Sequence, residues 1–134
     1  MAENLSIFDI SGRAMSAQLV RLNTTASNLA NAGTVSGSEG TAFRSMKPVF
    51  RTVMGEAGKA TVQVDRIDSS KSTPVKRYEP GHPLADKDGN VWEAAVDSAA
   101  EMVEMLETSR QYQNNVQVLA TAKGLISETL RLGQ

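Results

Sequence analysis

Apolar residues recur at intervals of three and four near both ends of the chain, and glycine and proline punctuate the stretch between them. Toward the N-terminus, Phe8, Met15, Leu19, Leu22, Ala26 and Leu29 share one register, with Gly12 at the position skipped after Phe8. Toward the C-terminus, Met102, Met105, Tyr112, Val116, Leu119, Ile126 and Leu130 keep a similar register, interrupted at Ser109 and Lys123. A repeat of about 3.5 residues holds one stripe of a helix toward a neighbouring helix. The pattern predicts a mainly α fold, in which long N- and C-terminal helices pair as an antiparallel coiled-coil-like unit around a small β-hairpin or extended insertion. The segments are 1–34 for the first helix, 35–94 for the insertion and 95–134 for the last helix.

The first helix is expected from about Leu5 to Ala32, with Gly33 and Thr34 as its stop. Its end, Asn23 to Ala32, is rich in small and amide-bearing residues. Those suit close helix packing with polar cross-links; they equally suit a fraying, solvated end, because Asn and Thr are poor helix formers. Val35 to Thr41 reads as a loop. Met46–Met54 and Ala60–Ile67 read as strands joined through Gly55–Lys59, with Pro48 arguing for an edge. Val75–Glu79 is a candidate third strand, and Glu79–Leu84 and Asp88–Asn90 are turns. The last helix is expected over Ala95–Leu132, with a second apolar row at Val118, Ala122, Leu125 and Leu132. A helix apolar over so wide an arc needs more than one partner. Leu22, Leu29, Tyr112, Val116, Leu119 and Ile126 are the candidates for helix pairing. Asn28, Asn31, Gln113 and Asn115 are the candidates for polar contacts to neighbouring subunits.

Composition narrows the function. The 134 residues are 40 % hydrophobic but only 4 % aromatic, a lean supply for a self-contained core. A formal net charge of −1 provides no basic field for nucleic acid. There is no cysteine, hence no disulfide framework and no thiolate site. The first residues lack the basic and apolar regions of a secretory signal, and no stretch reaches membrane-spanning length.

The candidates for chemistry fall away on inspection. His82 is the sole histidine and lies between Gly81 and Pro83, in a turn. Gly58-Lys59-Ala60 lacks both the spacing from Gly55 and the hydroxyl that a phosphate-binding loop requires. Asp86–Asn90 begins like a calcium loop, but Val91 stands where the sixth position needs glycine and Asp97 where the twelfth needs glutamate. Glu101 and Glu104 sit on a helix surface where solvation is the default. No catalytic residue, metal or cofactor is expected.

Three stretches together carry a family resemblance: Ser27-Asn28-Leu29-Ala30-Asn31-Ala32, the middle Tyr78–Asp86, and Ser109–Gln113 with the ending Leu130–Gln134. In these motifs and in length the chain resembles the flagellar basal-body rod protein family, in particular its proximal-rod members. The resemblance implies a structural subunit of the proximal rod, the drive shaft carrying torque from rotor to hook and filament. It implies export through the flagellar type III apparatus without a cleaved signal, and residence in the periplasmic rod. Expected partners are further copies of the chain, other rod proteins and rotor-ring or export-gate-proximal adaptor proteins, with no nucleic acid or small-molecule substrate. A soluble helical adaptor or export chaperone would carry the same heptads and stands as the alternative.

Overall fold

The computed structural model describes residues 2–55 and 58–134, with side chains from residue 7 onward. Its elements in chain order are α1 (Ala2–Asn31), β1 (Val35–Ser36), β2 (Met46–Met54), β3 (Ala60–Ser69), β4 (Val75–Tyr78), β5 (Asn90–Glu93) and α2 (Ser98–Leu132). The fold is therefore not a mainly α coiled coil with one small hairpin. Five strands form two sheets, a β2–β3 hairpin and a three-stranded antiparallel sheet in the order β1-β5-β4. The additional strands are short. β5 is four residues long and β1 two, too few to show an alternation. β4 pairs with β5, Tyr78 opposite Asn90, rather than extending the hairpin.

The three-stranded sheet holds one of the three fully buried side chains, the others being Asn28 and Thr108 on the helices. Val91 is wholly inaccessible, and Ala94, just beyond β5, and Ala42, in the loop before β2, are buried as well. Main-chain bonds tie the segment just after β5 to its surroundings: Ala94 N–H donates to Thr34 O at 3.0 Å, Ala95 N–H to Phe43 O at 2.8 Å and Ser45 N–H to Ala95 O at 3.2 Å, while Ser70 N–H donates to Ser45 O at 2.7 Å at the base of the hairpin. The 80s loop is built around Asp86, whose carboxylate accepts from the N–H groups of Asp88 and Asn90 at 2.9 and 2.8 Å. Gly89 takes φ +77° there, and a Cβ on it would come within 3.0 Å of Pro80 and Tyr78. Only glycine meets both demands. His82 Nδ1 accepts from Leu84 N–H at 3.0 Å, which holds its ring in the turn.

The hairpin follows the expected strands, with β3 two residues longer and a register shift between Val49 and Phe50. Glu56 and Ala57 of the connecting turn lie outside the described residues. Exposed ion pairs join Arg66 to Asp68 and Asp65 across its outer surface, each at 2.9 Å. The hydrogen bond and charge of Asp68 hold the Arg66 guanidinium above its ordinary pKa. Pairs so exposed contribute little to stability.

Candidate assembly surface

α1 is the middle layer. It packs against α2 on one side and against both hairpin strands on another. The helices run antiparallel, since Arg21 lies 3.4 Å from Glu104, Gln18 donates to Gln111 at 2.9 Å, and Phe8 shares a cavity with Ala122 and Ile126.

The covered positions of α2 include Glu101, Met105, Thr108, Tyr112, Asn115, Leu119, Ala122 and Ile126, stepping by four and three, with Glu104, Ser109 and Gln111 beside them. On α1, Phe8, Gln18, Arg21 and Thr25 meet α2, and Ser11, Met15, Leu22 and Leu29 are covered on the same helix. This seam departs from the apolar register at its two interruptions, Ser109 and Lys123, and also at Met102, Val116 and Leu130, which are exposed. Thr108, fully buried, takes the place of Ser109; Asn115 takes that of Val116, which is 44 % exposed; Ala122 takes that of Lys123. The α2 side of the helix–helix contact is thus more than half polar or small. Thr108 Oγ1 and Gln18 Oε1 are both buried there without a hydrogen-bond partner among the described residues. Leaving such groups unmatched costs about 1–3 kcal/mol each, so the seam contributes less than its length suggests.

Of the residues singled out for pairing, Leu22, Leu29, Tyr112, Leu119 and Ile126 are partly covered, and Val116 faces out. The amides divide differently. Asn28, only 1 % exposed, is spent inside the chain: its Nδ2 donates to Met46 O at 2.9 Å while its Oδ1 accepts from Met46 N–H at 2.8 Å. This two-way pairing fixes the start of β2 against α1. Asn31 Nδ2 donates to Ser27 O at 2.8 Å, and Asn31 O accepts from Thr34 at the helix end. Gln113 is exposed and Asn115 half-buried in the seam. Periodicity had no means of finding Arg21, which stacks 4.9 Å over the Phe50 ring while pairing with Glu104 and so links hairpin, α1 and α2.

What the fold leaves open is apolar. Met102, Val103, Leu106, Val118, Leu125 and Leu132 of α2 are exposed, Leu106 at 73 % and Leu132 at 84 %. Ile7, Ile10 and Leu19 of α1 are exposed as well. At the far end of the pair, a cavity of about 110 Å³ separates Ile7 and Phe8 from Ala122, Leu125 and Ile126. Long helices with uncovered apolar arcs and a gap between them need packing from outside the chain.

Comparison with known proteins identifies a family. Residues 8–36 match the family described as flagella basal body rod protein, and residues 87–132 match the flagellar basal body rod FlgEFG protein C-terminal family. The flagellar basal-body rod protein FlgC of Salmonella typhimurium is 46 % identical over 132 residues, covering 97 % of this chain and 98 % of the relative. The FlgC proteins of Escherichia coli O6:H1, 47 % identical over 97 % and 98 % of the two chains, and of Aquifex aeolicus, 33 % identical over 96 % of each, agree. The chain belongs to the FlgC family. As a FlgC-family protein it is a structural subunit of the flagellar basal-body rod and assembles with other rod components. The two family matches fall on α1 with β1 and on the 80s loop with β5 and α2. In the FlgC-family chain these are the elements that carry the exposed apolar arcs.

Proposed function

We propose that this chain is a proximal-rod subunit whose terminal helices complete their packing only against neighbouring subunits, forming a shaft that transmits torque from rotor to hook and filament. The observation that carries this reading is the apolar arc of α2, Met102 and Leu106 through Leu125 and Leu132, left uncovered by α1 and by the hairpin. At about 25 cal/mol per Å² of apolar surface removed from water, covering such an arc in every subunit gives a tube that resists shear along its whole length. Leu22, Leu29, Tyr112, Leu119 and Ile126 hold the helix pair, Val116 joins the outer arc, and Gln113 and Asn31 lie where a neighbour's polar groups reach them. The hairpin contacts adjacent rod subunits or the rotor-ring side. The chain leaves the cell through the flagellar type III channel without a cleaved signal, and its helix ends order on assembly. No step of this function uses a catalytic group or cofactor. Mass spectrometry of washed hook–basal bodies stripped of filament tests the reading: the chain is retained as a component, whereas recovery only as a soluble cytoplasmic oligomer would favour an adaptor or chaperone.

A further inference from the structure

We propose that the distal half of the β2–β3 hairpin is an arm hinged at its bulge, which swings away from α1 while its base stays fixed. In its use, though not in its mechanics, the movement rests on the rod reading: it lets one subunit set its hairpin at more than one angle to its helix pair, as contact with unlike neighbours requires.

The base is held through the main chain. Asn28 bonds both the N–H and the C=O of Met46, at 2.8 and 2.9 Å, Ser70 N–H donates to Ser45 O at 2.7 Å, and Ser45 N–H donates to Ala95 O at 3.2 Å. All lie at or next to the first pair of the ladder, Met46 opposite Ser69. Further along, the register changes: Val49 lies opposite Arg66 but Phe50 opposite Val64, so Asp65 has no opposite residue. An unopposed residue interrupts the ladder and bends the strand, and the hairpin can flex there without breaking pairs on either side. The ion pairs of Asp65 with Arg51 and Arg66, at 3.5 and 2.9 Å, are too solvated to stiffen the bend.

Past the bulge, the contacts with α1 are of another kind. Among the described hairpin residues only Thr61 is buried, and Val62 and Met54 are exposed. Thr61 Oγ1 accepts from Arg13 Nη1 at 3.3 Å, and Arg13 also reaches Asp9 at 3.3 Å in an exposed pair. Arg21 lies 4.9 Å from the Phe50 ring and is paired with Glu104 at 3.4 Å. Each tether is a side-chain contact whose arginine keeps a second partner when the arm leaves. Alongside these tethers, Ser16, Ala17 and Val20 of α1 face Val62 and Val64 of β3 across a groove of about 330 Å³. Side chains separated by such a groove forfeit the close contacts that would hold them together. The arm keeps its own ladder, so it moves as a unit, and local opening of this sort draws on the least stable part of a fold.

The cysteine-free chain permits a direct test. Ala17, under the arm, and Ala94, whose N–H is bonded to Thr34, are 4 % and 6 % exposed. Ala17→Cys and Ala94→Cys therefore place single thiols at equal burial. In the dilute folded chain, with each rate taken relative to the same variant unfolded in urea, a soluble thiol reagent should label position 17 about tenfold faster than position 94 or more. Arg13→Ala, which releases Thr61, should speed labelling at position 17 about fivefold and leave position 94 unchanged. Equal rates at the two positions, or no selective response to Arg13→Ala, would overturn the proposal. Spin labels provide a second readout that leaves Ala17 untouched. Thr52→Cys with Arg110→Cys should give a broad or two-peaked distance distribution, and Ser69→Cys with Arg110→Cys a single narrow one; narrow distributions for both would overturn the hinge. Both measurements use the dilute chain, so their failure leaves the rod reading standing, whereas loss of the chain from washed basal bodies would remove the use given to the movement and not the movement itself.

Discussion

The two ends of the helix pair are built differently. At the end that joins the sheets, Asn28 clamps Met46 from both sides, Thr34, Phe43 and Ser45 carry main-chain bonds to Ala94, Ala95 and Ser70, and Thr108 and Val91 are fully buried. At the other end Phe8 and Ile126 border a cavity, Leu125, Leu130 and Leu132 stand in solvent, and beyond the Gln18–Gln111 bond no side-chain hydrogen bond or ion pair joins the helices among the described residues. Stability is thus concentrated where helices, hairpin and sheet meet. The far end consists of helix whose own partner covers it only in part, and its order depends on what assembly adds.

Substitutions at the junction should therefore act on the monomer, and substitutions at the far end on assembly. The largest monomer effect is expected for Asn28→Ala, which removes both hydrogen bonds from the Met46 N–H and C=O and leaves a cavity at a fully buried side chain, and should cost about 3 kcal/mol in chemical denaturation. Val91→Ala removes two buried methyl groups from the sheet and should cost about 2 kcal/mol in the same measurement. Gly89→Ala forces a side chain into a left-handed turn against Pro80 and Tyr78, and about 1–2 kcal/mol is expected. Leu119→Ala, in the half-covered seam, should shift monomer stability by about 1 kcal/mol yet depress motility under load clearly. Leu132→Gln should leave the monomer's melting curve unchanged and be felt only in the yield of washed basal bodies. A monomer destabilised as much by Leu119→Ala as by Asn28→Ala would erase the contrast between the two ends.

Much of the fold was legible because its longest elements carry the most repeats. Both terminal helices and both hairpin strands lie within a few residues of where periodicity and turn residues put them. The three-stranded sheet was not legible, because its strands are two to four residues long and are held by main-chain pairing that leaves no pattern in the side chains. The helix seam was half legible. Apolar positions draw the eye to Val116, whereas the covered position is Asn115, and polar Thr108 and Glu101 belong to the contact although composition assigns them to water. Asn28 shows the same limit in reverse. The SNLANA segment announces amides, but only the fold reveals that this one meets the Met46 main chain within its own subunit.

Hydrogen–deuterium exchange compared between the dilute monomer and intact basal bodies tests this account most directly. It predicts strong protection of residues 20–30 and 101–112 in both samples, and protection before Gly12 and beyond Ala122 only in the assembled rod. Equal protection of both helices from end to end in the dilute monomer would contradict it.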